Sequence, residues 1–249
     1  EFPATSRSSF FRFAYADSGA PMLMIEAGRM CEGGGIEIIP ERNEIWLYNK
    51  ERFDAHLGPR LYRFACYYVL RFSEPFADFG TWADGTVSEG RRSDAAPNVG
   101  GYVRFASDVR TVEVRIDYAQ AADNLDREIG RERTFEQVKA SGRDRWNREL
   151  SRVSIKGASE DDLTVFYTAF FRTLQYPREF SEYGRYYSPF DERIHEGTSY
   201  TAYSLWDTFR AQHPWLQLVQ SMRWSGRWCR CTRSPDGFPS GRIRPSPTS

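Results

Sequence analysis

A change of period constrains this chain more than any other feature of its sequence. Up to about residue 118 the apolar residues come in short runs: "SFFRFAY", "APMLMIEAG", "GGGIEII", "NEIWLYN", "ACYYVLRF", "GGYVRFA" and "RTVEVRIDY". Gly33 to Gly35, Gly58-Pro59, Gly85 and Gly100-Gly101 punctuate the gaps. Short apolar runs bounded by turn residues read as strands. "VEVRI" alternates apolar and charged residues, as a strand with one buried and one wet face does. The pattern predicts an antiparallel β-sandwich over residues 1–118. Its first residues read as a strand whose partners lie further upstream, so the sandwich is expected to be incomplete, lacking its first strands.

Between Ala119 and Val153 the period becomes helical. Thr134 with Gln137 three residues on forms a capping-box signature. Phe135, Val138, Trp146 and Leu150 then fall on one helix face. Gly142 costs about 1 kcal/mol against alanine inside a helix, and a bend is expected there. Residues 119–153 are predicted to be a helical linker. Residues 154–221 open a helical domain, with Ser159 and Asp162 as a second cap and Glu160, Asp161 and Asp162 at the positive helix end. Leu163, Phe166, Tyr167, Phe170, Phe171 and Leu174 form a wide apolar stripe, read as core. The following stretch, "REFSEYGRYYSPFDERIHEGTSY", reads as a loop in which Glu179, Glu182, Asp191 and Glu196 are solvated charges.

A chain of 249 residues is long enough for a substantial core. Its 34 basic and 34 acidic residues cancel, which argues against nucleic acid or an anionic membrane as partner. No apolar run approaches the ~18–20 residues of a membrane span. The opening "EFPATSRSSFFRFAY" has no basic segment followed by an apolar one and no initiator Met, so processing or a fragment boundary is expected there. Cys31, Cys66, Cys229 and Cys231 lie far in sequence from His56, His195 and His213 and predict no metal site. Aromatic residues make up 16% of the chain, which suits both a β-rich core and the stacking of sugars.

The densest chemistry lies in "YTAYSLWDTFRAQHPW", Tyr200 to Trp215. Ser204 or Asp207 is placed to cap a helix through Phe209 to Gln212 that His213-Pro214 stops or interrupts. Trp206 offers a flat apolar face. Asp207 and Arg210, three apart, share a helix face and offer acceptors and donors to hydroxyls. Two readings stay open on these residues alone: a buried Asp–Arg pair tying a helix end to the core, or the floor of a site for a polar, flat ligand.

The same stretch, preceded by "RDRWNRELSRVSIKG" and "EDDLTVFYTAFFRTL", resembles glycoside hydrolase family 92, the calcium-dependent exo-α-mannosidases. "YYVLRFSEPFADFGTW" and "VEVRIDYAQAADNLDREI" resemble the last strands of that family's N-terminal domain. The resemblance covers roughly Phe10 to Val219 and is most specific from Tyr200 to Pro214. It implies a β-sandwich joined to an (α/α)6 barrel, of which residues 154–221 are the first helices. It further implies removal of terminal mannose from α-mannosides, often α-1,2-linked as in N-glycans or mannan, with inversion. Trp206, Asp207 and Arg210 would then line the pocket for that mannose. The family's general acid, general base and calcium ligands lie beyond this motif, so no catalytic or metal-binding residue is expected within the chain, which would be inactive alone. Secretion or a periplasmic location of the full-length protein is implied by the resemblance only.

The tail "MRWSGRWCRCTRSPDGFPSGRIRPSPTS" has six arginines, one acid and no helical period. Loss of one nucleotide after Ser221 allows, with permitted codons, the neighbouring-frame reading "DEMVGEMVQMYQESGWLPKWPNPAFTY". The resembled family continues with a helix of that kind and "GWLPKW". Residues 222–249 are therefore expected to be a frameshifted, disordered tail. Two other readings compete with a mannosidase fragment. One is a non-catalytic carbohydrate-binding β-sandwich, and the other is a product that binds nothing.

Overall fold

The computed structural model describes residues 1–16, 19–27, 33–50, 65–118, 121–130, 132–176, 178–188, 191–200, 208 and 210–219. The chain divides into two compact units, Glu1–Asp144 and Arg145–Ser249.

In the first unit the short apolar runs become strands β1 (Ser8–Ala14), β2 (Met22–Glu26), β3 (Gly34–Ile39), β4 (Glu44–Lys50) and β5 (Ala65–Phe72). They continue as β6 (Asp78–Ala83), β7 (Thr86–Glu89), β8 (Ser93–Ala96), β9 (Val99–Arg104) and β10 (Thr111–Tyr118). Two antiparallel sheets result, ordered β1-β10-β5-β4-β3-β8 and β2-β9-β6-β7. On one edge β1 pairs with β10, Phe10 opposite Arg115 and Phe13 opposite Val112. Strand β10, whose Val112 and Val114 face the core, is held between β1 and β5.

Strands β7 and β8 are not evident in the sequence because they are only four residues long and largely polar. Yet "DG" at 84–85 is a strong hairpin signal. Asp84 and Gly85 take φ of 47° and 87° between the paired Ala83 and Thr86, as a two-residue primed turn requires.

The sandwich core takes Ile36, Ile38, Ile45, Leu47, Leu70, Phe72, Val112 and Val114 from one sheet and Val99 and Val103 from the other. The sheets meet closely at Gly101, where an added Cβ would come within 2.8 Å of the Ile36 side chain. Helix α1 (Ala121–Glu128) and the start of α2 (Phe135–Leu150) cover the outer face of the six-stranded sheet at β1, β10 and β5. There Phe10, Val69, Leu125, Ile129, Phe135 and Val138 form a second buried cluster. Beside it the Arg71 guanidinium donates to Glu44 at 2.9 Å and to Asp126 of α1 at 2.5 Å, with Glu44 fully buried. Burial works against the Arg71 charge, but Asp126 and Glu44 outweigh it and hold its pKa above the ordinary arginine value.

The boundary between the units falls within α2, which begins with the predicted box: Gln137 N–H donates to Thr134 Oγ1 at 3.3 Å, and Thr134 N–H to Gln137 Oε1 at 3.0 Å. The helix runs unbroken through Gly142. In the second unit Trp146 packs on Phe171 of α3 (Glu160–Thr173), with ring centroids 4.4 Å apart. Asp162 N–H donates to Ser159 Oγ at 3.2 Å and caps α3 as its sequence predicts. The stretch expected as loop holds a hairpin, β11 (Arg185–Ser188) paired with β12 (Arg193–Glu196). A further helix covers 212–219.

Candidate functional site

The second half of the Tyr200–Trp215 motif is a docked helix start. Trp215 meets Phe166 and Phe170 of α3 edge-on, with centroids 5.8 and 5.2 Å away. The Gln212 amide donates to the Thr173 carbonyl at 3.0 Å, and Leu216 is buried. Ahead of that helix, Thr208 Oγ1 and His213 Nε2 lie 2.7 Å apart. Burial lowers the His213 pKa, which favours the neutral ring in this contact. Arg210 sits in the turn just before the helix, with its side chain exposed. Trp206 and Asp207 lie outside the described residues, as do His56, Cys31, Cys229, Cys231 and the tail. Among the three sequence-predicted site residues the structure thus places Arg210 at the mouth of a helix anchored to α3.

The four loop carboxylates separate in the structure. Glu182 is buried, which corrects its reading as a solvated charge; its N–H and C=O exchange bonds with Arg185 at the base of the hairpin. Glu179, Asp191 and Glu196 are exposed. Asp191 Oδ2 lies 2.8 Å from His195 Nε2, and the His195 ring stacks on Tyr186. The Phe180 and Ser181 N–H groups both donate to the Ser199 carbonyl, closing the chain just ahead of the motif. Among the described residues, no three His, Cys, Asp or Glu side chains come together to hold a metal ion.

A concave feature lies wholly in the first unit. On the outer face of the six-stranded sheet, beyond the part that α1 covers, lies a trough of about 840 Å³. Two rows of cross-strand neighbours floor it: Ser93, Glu37, Trp46 and Val69 in one, Ala95, Gly35, Tyr48 and Tyr67 in the other. Trp46 donates its indole N–H to Glu44 at 3.0 Å. The Tyr48 ring lies where a side chain at Gly35 would stand, since a Cβ there would meet it at 2.3 Å. The sequence reading passed over these residues. Their signal was the placing of Trp46 and Tyr48 two apart on a strand whose other face is Ile45 and Leu47.

Two family models match the chain in succession: the glycosyl hydrolase family 92 N-terminal domain over residues 1–117, and the catalytic domain of the same family over 120–228. Among solved structures, an inverting mannosidase of that family from Bacteroides thetaiotaomicron superposes with a TM-score of 0.78 at 29% identity. An α-mannosidase of the family from the same organism gives 0.74 at 24% identity. Each match covers 87% of this chain and 30% of the other. A third family 92 glycosyl hydrolase shares the fold with a TM-score of 0.78 at 19% identity, over 93% of this chain and 32% of its own. The chain therefore spans about a third or less of the length of the structures it matches. No curated protein sequence matches it.

Proposed function

The chain belongs to glycosyl hydrolase family 92, and from that premise we propose that it is part of an exo-α-mannosidase that removes terminal mannose with inversion. The observation that carries the reading is the succession of both family models along one chain, the second running through "SLWDTFRAQHP". The substrates are α-1,2-linked mannosides of the N-glycan or mannan type, met outside the cytoplasm by the exported, complete enzyme. Trp206 stacks on the sugar face, Asp207 accepts from its hydroxyls, and Arg210 orients Asp207 or donates to the sugar. Inversion needs two carboxyl groups ~6.5–9.5 Å apart, one protonating the leaving oxygen and one activating water. In this reading both come from the helical barrel past the motif, and this chain alone is inactive. Calcium, held by oxygen ligands elsewhere in the enzyme, contributes by engaging mannose hydroxyls.

The test is hydrolysis of α-1,2-mannobiose by the complete enzyme and by this chain, followed by NMR of the first-formed anomer. The expected result is β-mannose from the complete enzyme, loss of turnover on adding a calcium chelator, and no release by the chain. Asp207→Asn in the complete enzyme is expected to raise KM. First-formed α-mannose, or no mannose from the complete enzyme, overturns the reading.

A further inference from the structure

We propose that the trough on the outer face of the six-stranded sheet, where Trp46 and Tyr67 flank Glu37, Tyr48 and Gly35, is an oligosaccharide-binding site. Its volume of about 840 Å³ lies in the range of small-ligand sites, roughly 300–1,000 Å³, and accommodates a short run of pyranose rings. Trp46 and Tyr67 are 36% and 54% exposed, and they stand on neighbouring strands as a diagonal pair. Large flat rings at that spacing are within reach of one ligand.

The aromatic floor is held in place before any ligand arrives. The Trp46 indole N–H is satisfied by Glu44, and Arg71 in turn holds Glu44. The Arg42 guanidinium lies 5.6 Å from the Trp46 ring centroid. Tyr48 lies flat across Gly35, and its ring centroid is 6.1 Å from that of Tyr67. An aromatic ring oriented in advance loses little freedom on binding. Between and beside the rings stand groups that accept from and donate to hydroxyls: Glu37 directly opposite Trp46, Ser93 opposite Glu37, and Arg91 at the rim.

That mixture favours a sugar over a protein partner. A protein interface wants an apolar, charge-depleted centre within a total of about 1,600 Å². Here an exposed carboxylate sits among the rings. The aliphatic neighbours Ile36, Leu47 and Val69 are buried, the first two in the sandwich core and the third beneath α1. Sugars present C–H faces to rings and hydroxyls to polar groups, so one ligand uses both kinds of wall. The proposed function enters only through the choice of mannose as the sugar.

The experiment titrates the 249-residue chain with α-1,2-mannotriose and, in parallel, with maltotriose, read by calorimetry and by tryptophan fluorescence. Saturable binding is expected, with a fluorescence change absent from Trp46→Phe. Trp46→Ala and Tyr67→Ala each weaken binding roughly tenfold or more, and both variants keep the parent circular dichroism because the side chains are exposed. Gly35→Val, which drives the Tyr48 ring off the floor, gives an independent loss. Binding of maltotriose alone with the same losses upholds the site and overturns the mannoside reading. Mannose release by the complete enzyme, with sugar binding indifferent to Trp46 and Tyr67, overturns the site and leaves the function standing. Absence of binding to either sugar, or loss of self-association in Trp46→Ala by sedimentation, overturns the proposal; the second result makes the trough a contact between copies.

Discussion

The β-sandwich and the helical unit carry similarly apolar sequences but bury them to different degrees. In the sandwich Phe10, Ile38, Ile45, Val103 and Val112 are all at or below 1% exposure. In α3, whose stripe is at least as aromatic, Phe170 is buried while Leu163, Phe166, Tyr167 and Phe171 are half-covered by the described residues. A strand has one core face, and one facing sheet satisfies it. A helix with a stripe wider than about 100° needs neighbours on more than one side. The described strands bury the core residues of the sandwich through pairings made within residues 1–144. The helix asks for a larger circle of partners than the described residues supply.

The comparison can be broken by truncating one large side chain in each unit. Phe10→Ala should cost about 3–5 kcal/mol in urea unfolding followed by circular dichroism, because Phe135 and the Arg115 guanidinium close over the ring on both sides. Arg71→Ala leaves Glu44 buried without its main cation and should cost about 3 kcal/mol, with Arg71→Lys recovering part of it. Phe170→Ala should fall lower, about 2 kcal/mol, since neighbours with room to move can collapse into the gap. A loss for Phe170 equal to that for Phe10 would show that the two cores are alike. Thr134→Ala removes one half of a capping box and should cost about 1 kcal/mol.

The smallest effect is a pH dependence in the hairpin of the second unit. Partial desolvation works against the Asp191 carboxylate, but hydrogen bonds from its hairpin neighbours, His195 among them, outweigh it and hold its pKa below the usual aspartate value. A depressed folded-state pKa contributes stability that is fully present above the unfolded value, roughly 3.9. That stability is lost as pH falls through the lower folded value. NMR titration of the Asp191 carboxyl should show the depressed midpoint, and His195→Ala should move it upward. An unchanged midpoint would remove His195 from the account.

Where local chemistry decides, the sequence was legible. Strand β10 and the caps at Thr134 and Ser159 follow from the alternation of "VEVRI" and from hydroxyls three residues ahead of a partner. The β6–β7 hairpin was legible in principle from Asp84-Gly85 and was overlooked because its strands carry little apolar signal. The pairing of β1 with β10 was not legible, since the partner lies about a hundred residues away and strand order is a property of the whole sheet. The burial of Glu182 was not legible for a related reason: a charged residue in a loop reads as solvated, and its cover comes from the fold rather than from its neighbours in sequence. The trough lay hidden because period-2 reading looks for the apolar face, and the information here was on the other one.

One consequence of the β1 pairing concerns solubility. Among the described strands β1 stands last in its sheet, and a strand with an uncovered edge is a template on which a second molecule can grow a ladder. Residues 1–5 fold back along it: Phe10 N–H donates to the Pro3 carbonyl at 2.9 Å, Arg12 N–H to that of Glu1 at 3.3 Å, and Ala4 bridges Ser9. Pro3 has no N–H of its own to offer outward. Glu128 grips the turn by accepting from the Arg7 and Ser8 amides at 2.8 and 3.1 Å. The folded-back segment takes up the Phe10 and Arg12 N–H groups, so Glu128→Ala, which loosens the turn, is expected to bare backbone donors that another strand's carbonyls can meet.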